Sequence, residues 1–259
     1  MVEPLIRFRS VRKAFGPKVV YADLNLDVQR GKALTIVGGS GVGKSVMLKM
    51  LIRLLTPDSG SVTFDGREVT TMQDEELAVL RQRIAMLFQG GALFDSLDVR
   101  ANVAYGLEEH FHEKMSDEEI AERVAWALEL VGLPGIEPMW PADLSGGMKK
   151  RVALARAIAV RPEVVLYDEP TTGLDPINTA RVNHLIMGLQ RKLNITSIIV
   201  THDMKSAFTI SDEIAMVHSG RIIAHGPTEQ FRKLPDPRVH DFIEGIAPVQ
   251  EDVETLLRA

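Results

Sequence analysis

The chain of 259 residues contains 45% hydrophobic and 25% charged residues, which is the composition of an ordinary soluble globular protein and not of a disordered one. A formal net charge of −5 argues against general nucleic-acid binding, because that function needs a basic face. The absence of cysteine excludes disulfides, thiolate metal sites and cysteine nucleophiles. No stretch approaches the 18 consecutive apolar residues of a membrane span, so a membrane role would require a partner.

Short strands dominate the first part of the chain. Apolar runs alternate over residues 4–30, which predicts an antiparallel hairpin with a second strand from Val19 to Val28. The buried character of Ala33–Val37 predicts a parallel strand, and the apolar, mostly unbranched run Val46–Ile52 predicts a helix. Gly60–Gly66 predicts another short strand followed by a turn.

The middle of the chain changes to a helical pattern. Asp74–Arg83 predicts a helix and Ile84–Phe88 a buried strand, and helices are expected from there to about residue 160. Ser116 and Glu119 have the spacing of a capping box, so a helix should begin at this point.

Alternating strands and helices resume in the last third. Glu163–Tyr167 and Thr196–Val200 predict buried strands on either side of a helix that includes Val182–Leu189. Residues 213–226 predict two closing strands, and the chain from Thr228 is helical and charged. Because strands alternate with helices, we expect an α/β fold with a largely parallel sheet, helices on both faces and an inserted helical segment.

One loop carries a phosphate-binding pattern. Eight residues match G-x-x-x-x-G-K-[ST]: Gly38, Gly39, Ser40, Gly41, Val42, Gly43, Lys44 and Ser45. Glycines allow the backbone N–H groups to turn toward a phosphate at a helix N-terminus. Lys44 can reach the β and γ oxygens, and the Ser45 hydroxyl can ligate Mg²⁺. The loop therefore predicts ATP with Mg²⁺, and an ordinary glycine-rich turn is the alternative.

Two carboxylates, Asp168 and Glu169, follow the predicted strand that ends at Tyr167. This is the carboxyl edge of the sheet, where ligands bind in open α/β folds and where the phosphate loop also lies. In phosphoryl transfer an aspartate in this place holds Mg²⁺, and a neighbouring acid orients or deprotonates the attacking water. We therefore assign Asp168 to the metal and Glu169 to the water. The alternative is that both acids only cap the next helix.

A second small-residue helix start occurs at Ser145, Gly146 and Gly147, where the backbone is able to approach an anion. Residues 149–151 then place three cations in the first helical turn, against the helix macrodipole, at about 0.3–1 kcal/mol each if exposed. A nearby anion or acidic partner would relieve this cost. A solvated basic turn is the alternative.

Six motifs occur in the order found in ATP-binding-cassette ATPases, a family that the chain resembles over about residues 5–235. They are the phosphate loop, Gln89, Leu144–Gly147, Asp168–Glu169, Gly173–Pro176 and Thr201–Asp203. The resemblance implies a P-loop NTPase (RecA-like) core together with an N-terminal antiparallel β subdomain and an inserted α-helical subdomain.

The family layout divides the chain in the following way. Residues 1–245 would form the ATPase domain, with its core at about 1–88 and 161–245 and its helical subdomain at about 89–160. Residues 246–259 would form a C-terminal extension.

The resemblance also implies a role for each motif residue. Phe15 would stack on adenine, although a core aromatic of the hairpin is the alternative. Gln89 would contact Mg²⁺ and the lytic water, and His202 would contact the γ-phosphate as a switch. Ser145–Gly147 would bind the γ-phosphate of ATP held by the opposite subunit of a homodimer, and Asp175 would couple the two sites.

One residue and two stretches resemble the Mla/Mce-type ATPases that drive phospholipid and other lipid transport across the bacterial envelope. The residue is Met148, in place of the usual glutamine, and the stretches are Met86–Phe94 and Asn102–Tyr105. This branch implies a position at the cytoplasmic face of the inner membrane, with an integral-membrane permease, Mce-domain proteins and small accessory subunits as partners. Asp241–Gly245 and the helix-like Val253–Arg258 resemble its C-terminal extension, which would contact the other subunit.

A docking surface for the permease is expected at Leu93, Phe94, Leu97 and Val99, and plain core packing is the alternative. Two other functions stay open for the whole chain. An amino-acid or other small-solute importer would use the same cassette, because the cassette does not touch cargo. A soluble non-transport cassette would be expected to have a second cassette, a coiled coil or a basic face, and the sequence shows none of these.

Overall fold

The computed structural model describes residues 3–246. The strands are β1 (Ile6–Phe15), β2 (Lys18–Val28), β3 (Ala33–Val37), β4 (Ser59–Phe64), β5 (Arg67–Glu68), β6 (Ile84–Leu87), β7 (Val164–Asp168), β8 (Thr196–Val200), β9 (Glu213–His218) and β10 (Arg221–Pro227). The helices are α1 (Lys44–Leu51), α2 (Asp74–Arg83), α3 (Val99–Phe111), α4 (Asp117–Leu130), α5 (Gly146–Ala159), α6 (Pro176–Leu193), α7 (Met204–Ile210), α8 (Thr228–Phe231) and α9 (Pro237–Glu244).

The larger sheet has the strand order β10-β9-β3-β8-β7-β6 and is parallel except for β10. Every residue of β3, β7 and β8 is buried, as expected for interior strands covered on both faces. Val200 of β8 lies opposite both Ile36 of β3 and Asp168 of β7. The carboxyl ends of these three strands therefore meet at one edge, which positions the segments that follow them.

The smaller sheet is antiparallel, with the order β2-β1-β4-β5, and it contains the predicted hairpin. Four charged residues connect it to the amino edge of the larger sheet. Arg30 and Arg83 each contact both Asp65, which follows β4, and Glu163, which precedes β7, at 2.6–3.0 Å. This network holds the two sheets together at the end opposite the phosphate loop.

The helical segment between β6 and β7 consists of α3, α4 and α5. Ser116 and Glu119 cap α4 reciprocally, as their spacing predicts. Apolar residues of these helices join a single core cluster with Leu87 of β6 and Tyr167 of β7. No helix within residues 3–246 combines the length and the apolarity that crossing a bilayer requires.

The structure differs from the sequence-based expectations mainly at the ends of elements. β6 ends at Leu87, so Phe88 lies outside the sheet, and residues up to Asp98 are not helical. β7 begins one residue later than predicted and includes Asp168. The predicted helix at Val253–Arg258 lies outside the described residues.

Candidate functional site

The phosphate loop joins β3 to α1 and packs against β2 and β9. Gly43 has φ of 102°, and a Cβ atom there would lie 2.1 Å from Cγ1 of Val20. Gly38 has φ of 150°, and its Cβ atom would lie 2.5 Å from the carbonyl oxygen of Val217. The buried Tyr21 hydroxyl donates a hydrogen bond of 3.0 Å to the Gly43 carbonyl. Only glycine fits these two positions, and the loop conformation is held by its neighbours.

Lys44, Ser45 and Asp168 form a polar group at the start of α1, in which Lys44 and Asp168 are buried and Ser45 is partly buried. The Lys44 residue is 93% buried, and its ammonium group donates to two loop carbonyls, at 2.7 and 3.0 Å. Burial lowers the pKa of Lys44, and the carboxylates of Glu169 and Asp168 oppose this effect. The Ser45 hydroxyl donates to a carboxylate oxygen of Asp168 at 2.6 Å. A cation and two hard oxygen ligands therefore lie together at the helix N-terminus.

Glu169 has an unusual backbone conformation, with φ of 50°. Its N–H donates to the Val200 carbonyl at 2.9 Å, which fixes the residue between β7 and β8. One carboxylate oxygen lies 3.0 Å from Nδ1 of His202, and the carboxylate accepts a hydrogen bond of 3.1 Å from the Thr172 hydroxyl. Asp175, and neither of the two strand-end acids, caps α6. The helix-capping alternative therefore does not account for Glu169, whose strained backbone holds its carboxylate toward His202.

A cavity of about 470 Å³ brings the predicted nucleotide residues together. Of the loop, Ser40, Gly41, Gly43, Lys44 and Ser45 line it. Phe15, Gln89, Glu169 and His202 also line it, together with Lys18, Val20 and Val46. Phe15 is 46% exposed, so it is not a core aromatic of the hairpin, and its ring is available to a planar ligand.

The other predicted anion-binding residues lie outside this cavity. Ser145 and Gly146 are exposed, and Ser145 caps α5 by accepting the Met148 N–H at 3.3 Å. Asp175 is also exposed and accepts the N–H groups of Ile177 and Asn178 at 2.9 and 3.0 Å. Neither group lines the nucleotide cavity of the described chain. One chain therefore presents a nucleotide cavity and, separately, a second helix N-terminus open to an anion.

The family model for ABC transporters matches residues 21–172, which is more than half of the chain. The chain belongs to the ABC transporter family. This cassette is 40% identical over 245 residues to the intermembrane phospholipid transport system ATP-binding protein MlaF of Haemophilus influenzae, with 95% of this chain and 92% of that protein covered. It is 39% identical to the protein of the same name from Escherichia coli K12, with 95% and 91% covered. It is also 39% identical to the probable ribonucleotide transport ATP-binding protein mkl of Mycobacterium leprae, with 94% and 70% covered.

Solved cassettes share its fold. The dimeric, post-hydrolysis ATP-binding cassette MJ0796 bound to ADP and Pi superposes with a TM-score of 0.79 at 30% identity, over 86% of this chain and 98% of that one. CbiO1 of Clostridium perfringens, part of an ABC transporter complex, superposes with a TM-score of 0.81 at 29% identity, over 94% and 100%. These relatives confirm the predicted α/β cassette fold and identify the chain as an ABC-type ATPase.

Within the cassette, Asn178 connects the two motifs that lie outside the cavity. A Cβ atom on Gly147 would lie 3.0 Å from Oδ1 of Asn178, so this amide packs directly on the glycine. The Asn178 amide also donates a hydrogen bond to the Asp175 carboxylate. The backbone N–H of Asn178 and then this side-chain bond keep the pKa of Asp175 below its usual value. The start of α5 and the start of α6 are therefore in contact.

Two cations of the basic turn at the start of α5 donate hydrogen bonds to backbone carbonyl oxygens. Arg151 donates to the carbonyl oxygens of Val131 and Gly132, at 3.4 and 3.2 Å, at the C-terminal end of α4. Lys150 is buried and donates to the carbonyl oxygen of Gln89. Within the described residues the side-chain acceptors of these two cations are backbone carbonyls, which carry partial negative charge at strand and helix ends. An anion or acidic partner near the turn stays a prediction.

The donor set suits Mg²⁺ held jointly with phosphate oxygens. Within residues 3–246 no group of three or more histidine, aspartate or glutamate residues is arranged to hold a metal ion. The Ser45 hydroxyl and the Asp168 carboxylate lie 2.6 Å apart, and both are hard oxygen donors. Mg²⁺ is commonly held in this way by one or two protein oxygens and a nucleotide. The residues present therefore fit this ion.

Tyr21 and Asn178 were not found from the sequence. The alternating pattern of β2 places Tyr21 on the buried face, but nothing in the sequence identifies Gly43 as its hydrogen-bond partner. Asn178 occurs three residues after Asp175, which is the spacing at which a helix cap and the first turn interact. That spacing was an available signal for the second residue.

Proposed function

We propose that this cassette hydrolyses ATP with Mg²⁺ to drive phospholipid transport across the bacterial envelope through a separate membrane permease. One observation carries the chemistry: a single cavity is lined by Lys44, Glu169 and His202. The substrate class is supported by 40% identity over 95% of the chain to an intermembrane phospholipid transport ATP-binding protein.

The residues in and beside the cavity have separate roles in the proposed reaction. The loop N–H groups and Lys44 bind the phosphates, while Ser45 and Asp168 hold the metal ion, with Gln89 as a further ligand. When bound, Mg²⁺ neutralises charge on the β- and γ-phosphate oxygens. Glu169 orients the attacking water and accepts its proton.

His202 assists Glu169 and contacts the γ-phosphate. Its Nδ1 atom, 3.0 Å from the Glu169 carboxylate, holds this carboxylate in the direction of the cavity. The opposite ring nitrogen is then free to face the phosphate.

The active unit proposed here is a head-to-tail homodimer. Ser145–Gly147 and Asp175 lie outside the cavity of their own chain, so they are available to the nucleotide of a second copy. The dimeric cassette MJ0796, bound to ADP and Pi, shows that related cassettes pair. ATP would close the dimer and hydrolysis would reopen it, because the contact through the γ-phosphate is then lost.

A Glu169→Gln variant tests this scheme. It should bind ATP, fail to hydrolyse it, and accumulate as a dimer measured by light scattering after size-exclusion chromatography. Glu213→Gln is the matched control, because Glu213 also lies 3.0 Å from a histidine nitrogen, that of His225, on β9 and β10. The control should hydrolyse ATP normally. A folded Glu169→Gln variant that stays monomeric in saturating ATP contradicts the scheme.

The proposed docking surface for the permease consists of Leu93, Phe94, Leu97 and Tyr105. Phe94 and Tyr105 are 40% and 41% exposed, with ring centroids 4.7 Å apart. Leu93 and Leu97 are partly buried. Val99 is fully buried and belongs to the core, so its predicted part in docking is wrong.

Asn102 fixes the backbone of this surface by hydrogen bonds. Its buried amide accepts the Phe94 N–H at 2.8 Å and donates to the Phe94 and Leu97 carbonyls at 3.0 and 2.9 Å. Asn102 therefore gives the segment from Phe94 to Leu97 a fixed conformation, which a partner helix requires.

Cross-linking can test the docking surface, because the chain has no cysteine and each introduced thiol is unique. Leu97→Cys should cross-link to a co-expressed permease in membranes, which would place the cassette peripherally at the cytoplasmic face. Leu54→Cys, at a side chain that is 52% exposed at the end of α1, is the control. Equal cross-linking at both positions contradicts docking at this surface.

Transport by the complete complex tests the substrate. The cassette, copurified with its permease, Mce-domain protein and accessory subunits, should move fluorescent phosphatidylethanolamine between vesicles of phosphatidylethanolamine and phosphatidylglycerol when ATP is added. Lys44→Ala should abolish this transfer. The mycobacterial relative named for ribonucleotide transport favours a second candidate cargo. ATP-driven uptake of labelled ribonucleotide without lipid transfer would support that candidate instead.

A further inference from the structure

Lys150 is a buried cation whose charge the packing of the fold does not need. Lys150 is the fifth residue of α5 and is 93% buried. Within residues 3–246 no carboxylate forms an ion pair with its ammonium group, which donates to a backbone carbonyl oxygen instead. An apolar side chain would fill the same space without the desolvation cost. The retained charge therefore calls for a role other than packing.

The contact that Lys150 makes is with the segment after β6. Its ammonium group donates to the carbonyl oxygen of Gln89. A second cation of the same helix, Arg156, donates to the carbonyls of Gly91 and Ala92, at 3.0 and 2.8 Å. Helix α5 thus holds this turn at two points, and of the two cations Lys150 is the one bonded to Gln89.

Gln89 needs such support. It lies two residues beyond the end of β6, outside the hydrogen-bonded sheet, and it is exposed. The residue nevertheless lines the nucleotide cavity. The direction of a side chain on an unpaired turn depends on how the backbone of that turn is held, and here Lys150 holds it.

We propose that Lys150 is a positioning residue that orients Gln89 toward the nucleotide. Because Lys150 lies in the helix that begins with Ser145–Gly147, the same hydrogen bond connects the nucleotide site of one chain to the segment offered to its partner. This inference rests on the proposed role of Gln89 in ATP hydrolysis.

Steady-state ATP hydrolysis by the full chain tests the inference. Lys150→Met keeps the packing and removes the donor, so kcat should fall by about 10- to 100-fold, the usual effect of losing a partner that orients a ligand. The KM for ATP should stay unchanged, because Lys44 and the loop still bind the phosphates. Lys150→Arg keeps a donor and should recover most of kcat. Lys192→Met is the control, since Lys192 is exposed near the end of α6 and does not line the nucleotide cavity, and this variant should hydrolyse ATP at the original rate.

A double-mutant cycle separates positioning from general stability. If Lys150 acts through the Gln89 side chain, Lys150→Met should cause no further loss of kcat in a Gln89→Ala background. An equal loss in both backgrounds, or unchanged kcat in the single Lys150→Met variant, overturns the inference. Full kcat in Gln89→Ala alone overturns the proposed role of Gln89 instead. Thermal unfolding confirms that each variant is folded, and Lys150→Gln replaces Lys150→Met if the latter is not.

Discussion

Tyr21→Phe removes one hydroxyl and keeps the ring, so it isolates the hydrogen bond between β2 and the phosphate loop. The hydroxyl is fully buried and donates to the Gly43 carbonyl at 3.0 Å, and burial raises the pKa of Tyr21 above its usual range. The same carbonyl also accepts the Val46 N–H at 2.9 Å, so it is not left without a partner. We therefore expect a loss of about 1 kcal/mol in the free energy of unfolding, the ordinary value of a satisfied hydrogen bond.

The same variant should weaken ATP binding. The Gly43 carbonyl belongs to the peptide whose N–H is that of Lys44, so a loosened carbonyl lets this donor turn away from the phosphate. If the hydrogen bond is about 1 kcal/mol stronger in the nucleotide complex than in the free chain, its loss raises the Kd for ATP about fivefold. The kcat value should change little, because Glu169 and His202 are untouched.

Urea unfolding and ATP titration measure these two effects. A loss of about 1 kcal/mol should also lower the Tm by about 3 °C for a chain of this size. Tyr167→Phe is the stability control, because the Tyr167 hydroxyl is equally buried but forms no hydrogen bond within the described residues, although Ser197 lies beside it. This control should be neutral or stabilising. If Tyr21→Phe unfolds at the original urea midpoint and binds ATP unchanged, the hydrogen bond does not support the loop.

Three further predictions concern the phosphate loop, the aromatic residue proposed to stack on adenine, and the network of charged residues that connects the two sheets. Gly38→Ala should destabilise the fold by about 1–3 kcal/mol, because its Cβ atom would meet a β9 carbonyl oxygen. Gly39→Ala is the control, because the nearest atom to its Cβ atom would be 3.8 Å away. Urea unfolding compares the stability of the two variants. Phe15→Ala should raise the KM for ATP and change the Tm little, since the residue is 46% exposed. Arg83 keeps the pKa of Glu163 below its usual value, so stability from this pair is present at neutral pH and is lost as the pH falls below about 4.5. Glu163→Gln should therefore be less stable at pH 7 and lose less stability on acidification, as measured by urea unfolding at several pH values.

The order of the elements and most of their bounds could be predicted because local pattern determines them. Residues 74–83 form the predicted helix because acidic residues lie in its first turn and arginines in its last. The strand ends were harder to place. β7 extends to Asp168 because this residue pairs with Val200 of β8, and a partner strand is not visible in a local window.

The candidate site was predictable where spacing alone defines it. The loop from Gly38 to Ser45 and the acids Asp168 and Glu169 were found in this way. The acceptors of Lys150 and Arg151 were not predicted, because they are the carbonyls of Gln89, Val131 and Gly132, which are distant in the chain. Backbone acceptors carry no residue type, so the sequence has no signal for them.

By itself, the sequence determined which groups are present: the glycines, lysine, serine and acids that ATP chemistry needs, in an order that identified the family. Tertiary structure decided which groups act together. Because the parallel register aligns the carboxyl ends of β3, β7 and β8, Lys44, Glu169 and His202 line one cavity although up to 158 residues separate them. The same packing places Ser145 outside that cavity and brings Lys150 to Gln89, because helix α5 lies across the end of β6.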